Sequence, residues 1–587
     1  MQTITNWGIL SRRSSLGKPV VRLVGRVYGH AHCAPGEVFK TSPIAWFRRK
    51  GATTVVMTRN GSEYVLGKPR PTEPLAVQQL IAHLKHSGRP AWQPTLLIFL
   101  IAVIALLAYV LCTETPWEMV AAGPHAAAAS GTRHVLALHA AAGGAQVAPA
   151  ELPLAPDLAL AVSIATVLLW TVIGVVLLYT VRHYGFSLNR LFGEQRHPYI
   201  DIETADWPRV TVFIAAHNEE AVIAHSLEAL LRVDYPPARL TIMPVNDRST
   251  DRTRTIIDDF VARHPGRIAP FHRSGGKPGK SAALKDATAL VDSDIIIVFD
   301  ADYVPGRGLI KQLVAPFFDP ETGAVMGRVV PLNTGANLLT RLLDMERSGG
   351  YQVDQQARMN LRLVPQYGGT VGGVRRKALD SIGGWRDDAL AEDTDLTYRL
   401  LLRGWKTVYQ NRSECYEEVP QTWPVRVRQI MRWAKGHNQA ALRYARALVA
   451  AREVGLLAKL DGLLLLGVYA LSPVLLIALL LAVFLFYFGA SGSLLSTTGV
   501  IGIFSLMAYS ALGNFAAFFE IGAAVYLDGS GNRLCLMPFN YFGFLISLVS
   551  ISRATFNQLV FDGLLKRDFV WDKTTRFRTA VPLRKRA

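Results

Sequence analysis

The stretch DIIIVFDADYVPG, residues 294–306, decides how the chain is read, together with two others of the same kind, VTVFIAAHNEE at 210–220 and LTIMPVNDRSTDRT at 240–253. Each is an apolar run of strand length that ends in polar residues, and helix-like spacing separates them. That is the pattern of a parallel sheet with helices on its faces. Ligands of such sheets sit at the carboxyl ends of the strands, and the acids fall there. Asp247 closes one run; Asp300 and Asp302 close the next, two apart and so expected on the same side of an extended chain. Two carboxylates at a strand end suit a cation that bridges phosphates, because Mg²⁺ and Mn²⁺ prefer hard oxygen ligands. The alternative is a capped loop, since Asp is common in turns.

Downstream, AEDTDL places Glu392 and Asp393 after the segment GGWRDD, and PVRVRQIMRWAKGHNQ carries Gln429, Arg432 and Trp433 at spacings that share one helical face. A guanidinium pairs with phosphate in a bidentate way, and an indole offers a flat apolar face to a sugar ring. RSGGKPGKSAALKDA, from Arg273, imitates a phosphate-binding P-loop. The pattern needs glycine at 274, where this chain has Ser274, and no strand-like run leads directly into it. A phosphate contact from Lys280 survives that comparison; an ATPase does not.

Outward from this region the chain is apolar. Half of its 587 residues are hydrophobic, 18% are charged, and the mean hydropathy is +0.22. These values exclude a disordered or fibrous chain and argue against an ordinary soluble enzyme. The net charge of +18 invites a nucleic-acid reading. The basic residues, however, sit in the N-terminal region, beside apolar runs and in the tail, as cytoplasmic flanks of membrane segments do; nucleic acid is set aside as a partner. Cys33, Cys112, Cys415 and Cys535 form no CxxC pair, so neither a disulfide framework nor a zinc site is supported.

Residues 1–89 hold fourteen Lys/Arg against three Asp/Glu and no signal-peptide core. Strand-like runs at VVRLVGRVYGH, TTVVMTR and SEYVLG, the last two joined by Asn60-Gly61, predict a small basic β-rich domain near anionic lipid. A helix-like stretch, EPLAVQQLIAHLKHSG, follows. Uncharged runs at Pro90–Thr113 and Leu158–Val181 are each long enough to cross a bilayer core of ~30 Å. The loop 113–157 has one strong base, Arg133, and is expected outside the cytoplasm. Residues 183–455 have soluble-domain composition. Residues 456–561 return to apolar helices, with 58 uncharged residues from Gly462 to Phe519 broken by the turn-like GASGS at 489–493. Three crossings here leave the basic tail, 562–587, on the wrong side, so either a fourth crossing or an interfacial segment is expected. The leucines at 338, 339, 342 and 343 fit an interfacial helix, or equally a helix packed on the domain.

The ordered set Asp247, Asp300-Ala301-Asp302, Glu392-Asp393 and Gln429-Ile430-Met431-Arg432-Trp433 resembles the signature of inverting family 2 glycosyltransferases. The nearest likeness is to the membrane-embedded processive synthases of cellulose, chitin, hyaluronan and poly-N-acetylglucosamine, over roughly residues 180–577. The resemblance implies an α/β, GT-A-like cytoplasmic domain inserted between transmembrane α-helices in a bacterial inner membrane. It implies a UDP-sugar donor, a polysaccharide acceptor, Mg²⁺ or Mn²⁺, and subunits that carry polymer onward, none of which the sequence itself shows. By position, Glu219 and Asp247 would hold the uridine, Lys280 the diphosphate, and Asp300 the nucleotide. Asp302 would ligate the metal, and Asp393, beside Glu392, would be the general base. Gln429 and Arg432 would grip the diphosphate; Trp433, Gly369 and Thr370 would face the acceptor. WDKTTR at 571–576 resembles a loop that closes over the nucleotide. His217 replaces a common aromatic before Asn-Glu, and with only ~35 residues after Ser552 the cyclic-dinucleotide domain of many cellulose synthases is not expected here. A membrane transferase that adds one sugar to a lipid acceptor is the alternative, since some such enzymes share these motifs.

Overall fold

The structure is a computed structural model that describes residues 2–13, 19–29, 35–41, 44–50, 53–58, 62–67, 156–197, 206–488 and 514–559. The helix-like stretch after residue 72, the run at 90–113, the loop 113–157, Asn60-Gly61, the 489–493 turn and the 562–587 tail with WDKTTR lie outside the described residues.

Near the N-terminus, β1 (Thr3–Arg13), β2 (Pro19–Tyr28), β3 (Glu37–Lys40), β4 (Ile44–Lys50), β5 (Thr53–Thr58) and β6 (Glu63–Leu66) form one sheet in the order β3-β2-β1-β6-β5-β4. β5 and β6 pair antiparallel, as the hairpin reading expects, and β1 pairs parallel with β6. Ile4, Trp7, Leu23, Val27, Phe39 and Tyr64 are its core.

The second sheet has eight strands: β7 (Val210–Ala216), β8 (Leu240–Asp247), β9 (Phe271–Arg273), β10 (Ile295–Asp300), β11 (Val304–Pro305), β12 (Thr322–Pro331), β13 (Gly372–Arg375) and β14 (Lys406–Glu417), in the order β11-β14-β12-β13-β10-β7-β8-β9. β7 runs parallel to β8 and β10, whereas β13 is antiparallel to both of its neighbours, so the sheet is mixed rather than all parallel. Alternate residues of one strand serve opposite faces. Val212, Ile214, Ile297 and Phe299 pack with Val222, Leu227 and Leu230. Phe213, Val245, Ile296 and Val298 pack with Ala283, Leu284, Leu396 and Leu400. Burial on both faces is why these strands read as unbroken apolar runs. The chain leaves β7 for β8 on one side and returns to β10 on the other, which opens a crevice beyond the carboxyl ends of β7 and β10. β9 corrects the P-loop comparison in one respect: a strand does run directly into Ser274, but it is a three-residue edge strand with too few apolar residues to be legible.

Helix Pro156–Phe192 has 37 residues, about 55 Å of helix. It outruns the expected 158–181 segment because its polar end stays helical and is tied down. Arg182 pairs with Asp461 at 2.9 Å and Asp354 at 2.6 Å, and Arg190 donates to the Gln352 carbonyl at 2.7 Å. Among the described residues, helices spanning Leu160–Phe192 and Gly531–Asn557 are long and apolar enough to cross a membrane. Leu456–Gly467 and Leu471–Ala478, which meet at 70°, make a third if they count as one span. Helix Leu338–Ser348 packs on the domain, as one of its two readings expects. Leu339 and Leu343 bury against Val419, and Met345 buries against Ile521 and Val525 of the apolar helix Asn514–Leu527.

Candidate active site

Six of the residues singled out from the sequence meet at the end of β10. Lys280 begins helix Lys280–Thr288, and its ammonium lies 2.8 Å from Asp300 Oδ1, 3.1 Å from Glu392 Oε1 and 2.9 Å from the Gly369 carbonyl. Burial works against that charge, but the carboxylates of Asp300 and Glu392 outweigh it and hold the ammonium above its ordinary range. The Asp300 N–H donates to Thr370 Oγ1 at 3.2 Å. Gly369 has φ +72°, and a Cβ there would stand 3.1 Å from Glu392 Oε1 and 3.2 Å from Asp393 Cβ. Glycine is the residue that turns the chain this way with two carboxyl groups so close.

Glu392 and Asp393 open helix Glu392–Leu402, where acidic groups suit the free N–H groups of the first turn. Asp393 Oδ1 accepts the Thr394 N–H at 2.6 Å and the Thr394 hydroxyl at 3.3 Å. Burial, reinforced by the neighbouring Glu392 carboxylate, pushes the Asp393 carboxyl up to about 6. A carboxyl raised this far is a base poised near neutral pH.

Asp302 corrects the sequence reading. β10 ends at Asp300, and the Tyr303 N–H bonds back to the Asp300 carbonyl at 3.2 Å, so Asp302 lies in a turn and not on an extended strand. Asp300 reaches Lys280, while Asp302 is buried and its Oδ2 takes the Glu418 N–H at 3.3 Å. Among the described residues no three His, Cys, Asp or Glu side chains converge as a metal cage.

Asp247 closes β8 in a second cluster, where Oδ1 is 2.9 Å from both Arg248 and Arg273 and Oδ2 accepts the Gly279 N–H at 3.2 Å. Burial raises its carboxyl, and these donors outweigh burial and hold it below the usual range. Glu219 is buried in the loop after β7, its N–H bonded to Thr253 Oγ1 at 2.8 Å. His217, at the position where an aromatic is common, places Nδ1 2.6 Å from the Asp247 carbonyl and ties the β7 and β8 loops together.

Gln429, Arg432 and Trp433 lie on helix Trp423–Ala450. Gln429 Oε1 accepts from Arg426 at 2.9 Å. Arg432 is half-buried and without a side-chain partner among the described residues. Two guanidiniums lie over the Trp433 ring, Arg347 at 5.1 Å and Arg426 at 5.3 Å from its centroid. Arg347 is held by Glu417 at 2.8 Å, and Glu417 by the Tyr303 hydroxyl at 2.7 Å, so this platform is braced against the strand that follows Asp302. Sequence reasoning missed Arg347, Arg426, Glu417 and Thr394. Only Arg426, three residues before Gln429 on the same helical face, carried a local signal.

Residues 208–436 match the family model described as glycosyltransferase like family 2. The chain is 36% identical over 240 residues to a probable glycosyltransferase, YdaM, of Bacillus subtilis, covering 40% of this chain and 57% of that protein. It is 33% identical over 296 residues to a beta-monoglucosyldiacylglycerol synthase of Synechocystis sp., covering 50% and 60%. The chain thus spans less than two thirds of the length of these relatives. A similar solved structure is the mannosyltransferase PcManGT from Pyrobaculum calidifontis in complex with GDP-Man and Mn2+, at 22% identity and TM-score 0.43, covering 62% of this chain and 97% of that one.

Proposed function

We propose that the family 2 glycosyltransferase domain at residues 208–436, GT-A-like in its mixed sheet, transfers one sugar from a UDP-sugar to a hydroxyl of a membrane lipid, with inversion at the anomeric carbon. The transfer rests on one observation: Lys280, Asp300, Glu392 and Asp393 converge at the carboxyl end of β10. In the reaction the acceptor O–H proton passes to Asp393 while the acceptor oxygen bonds to the anomeric carbon. The bond from that carbon to the diphosphate breaks, and the electron pair leaves with UDP. Lys280 and Arg432 offset the charge that develops on the departing diphosphate, and Gln429 orients it. Asp247 and Glu219 hold the base and ribose end, and Trp433 lies under the acceptor.

The donor set fits a hard cation. Asp302 is a buried carboxylate in the turn after β10, and among the described residues no three His, Cys, Asp or Glu side chains converge, so Mg²⁺ or Mn²⁺ would be held by Asp302 together with the donor's own phosphate oxygens. When bound, the ion neutralises diphosphate charge.

Similarity to beta-monoglucosyldiacylglycerol synthases carries the choice of acceptor, and it moves the leading reading from polymer to lipid. A groove of about 630 Å³ between the apolar helices, lined by Leu191, Phe192, Phe518, Phe519, Ala523 and Met537, has a chemistry that suits acyl chains. The four-part motif set keeps processive polysaccharide synthesis as the second reading. Labelled UDP-sugars offered to detergent-solubilised protein with diacylglycerol separate the two. Label that extracts into organic solvent as a small product supports lipid transfer, whereas high-molecular-weight label overturns it in favour of a polymer.

A further inference from the structure

Behind Asp393 lies a closed set of hydrogen bonds that the transfer chemistry above does not use. Thr394, fully buried, donates its hydroxyl to Asp393 Oδ1 at 3.3 Å and receives the Gln366 amide Nε2 at 3.0 Å. His437 Nε2 lies 3.3 Å from both Thr394 Oγ1 and Gln366 Nε2, and His437 Nδ1 lies 3.2 Å from the Trp433 carbonyl. A carbonyl only accepts, so the ring hydrogen is on Nδ1, and Nε2 of the neutral ring is a bare acceptor. Burial keeps that ring neutral, lowering it to about 4.

The hydrogens can then be assigned without a surplus. The two hydrogens of the Gln366 amide go to Thr394 Oγ1 and His437 Nε2. With His437 Nε2 taken by the amide, the Thr394 hydroxyl hydrogen goes to Asp393 Oδ1. Gln366 is itself locked, because its N–H donates to Gln355 Oε1 at 3.0 Å and its carbonyl accepts from Gln355 Nε2 at 2.9 Å. His437 in turn packs on Tyr469, ring centroids 4.7 Å apart.

We propose that Gln366, Thr394 and His437 are positioning residues that fix the Thr394 hydroxyl on Oδ1 of Asp393 and so leave Oδ2 to take the acceptor's proton. The inference rests on Asp393 being the general base. Without the His437 lone pair the Gln366 amide is free to turn its oxygen toward Thr394 and draw the hydroxyl off the carboxylate. The charged and titratable groups that face Asp393 are Glu392 on its own helix, Lys280 from helix Lys280–Thr288, Tyr351 from the turn 349–355, Tyr367 from the loop before β13, and Tyr469 from the break between the apolar helices. Substitution at 394 removes none of them, and His437→Phe keeps a ring packed on Tyr469.

The test is kcat against pH for the full-length protein carrying Thr394→Val, His437→Phe, Thr394→Ser or His437→Gln, with Asp393→Asn alongside. Losing a hydrogen bond to a charged group moves the acid limb up by about one pH unit in Thr394→Val and His437→Phe. Thr394→Ser and His437→Gln, which restore the hydroxyl and the acceptor, keep the wild-type limb, and KM for the donor holds throughout. A limb that stays put while kcat falls equally at every pH overturns the proposal, and Thr394→Ala, which removes the hydroxyl without adding volume, carries the same test if the other changes fail to fold. Transfer by Asp393→Asn at the wild-type rate sinks the base assignment instead, so the two failures are distinct.

Discussion

Gly369→Ala is a single methyl placed against the two carboxyl groups of the site, and its cost can be worked from the geometry. At φ +72° an alanine pays about 1–2 kcal/mol for the left-handed backbone. Its Cβ, 3.1 Å from Glu392 Oε1 and 3.2 Å from Asp393 Cβ, also requires the start of helix Glu392–Leu402 to shift by a few tenths of an ångström. Overpacking of this kind adds about 1 kcal/mol or more, so the folded protein loses about 2–3 kcal/mol in all. A misplacement of 1 Å at a reacting group costs about a hundredfold in rate, and a shift of a few tenths therefore costs about five- to tenfold in kcat. The Lys280 contact is to the Gly369 carbonyl, which alanine retains, so UDP affinity stays within about twofold. Initial rates with labelled donor, UDP titration calorimetry and a melting curve in detergent read the three quantities. Wild-type kcat with an unchanged melting curve would refute the packing of the 367–371 segment on Glu392 and Asp393.

Three further outcomes follow from the same geometry. Asp393→Asn lowers transfer by about 10²–10⁴-fold while UDP still binds, which rate and binding measurements separate. Asp393 is raised to about 6 by burial and Glu392, against about 3.9 in an unfolded chain. Transfer therefore rises as pH climbs through about 6, whereas the stability this group contributes is fully present below about 4 and lost as pH rises through about 6; Asp393→Asn flattens its share of both profiles. Arg182→Ala leaves Asp354 and Asp461 to share Arg358 alone, so the protein loses about 3–5 kcal/mol and melts earlier in detergent, with UDP binding unchanged.

What the sequence made legible was what burial writes locally. β7, β8 and β10 read as strands because both of their faces are covered. Their acids were found because a strand's end is visible as the place where apolar residues stop. β9, β11 and β13 have three, two and four residues, too few for a pattern, and so the mixed character of the sheet was hidden. Asp302 was misplaced because a spacing of two implies a common side only while the chain stays extended, and the turn begins at Asp300. The leucines at 338–343 fit a membrane surface and a packed helix alike, and only the fold supplies their neighbours, Val419 and the helix Asn514–Leu527. Trp433 was visible on its helix, but Arg347, which covers one face of its ring, comes from elsewhere in the chain. His437 stood in plain view four residues after Trp433, without any local sign that Thr394 and Gln366 would meet it.

The proposed transfer requires the donor's diphosphate to sit where Lys280, Asp300 and the Glu392–Asp393 pair converge. A structure of the full-length protein with UDP and Mn²⁺ tests it most directly. The diphosphate is expected beside Lys280 and Arg432, the uracil toward Asp247, and the manganese signal at Asp302. Nucleotide bound away from the β7–β10 crevice, with Lys280 still paired to Asp300 and Glu392, would contradict it.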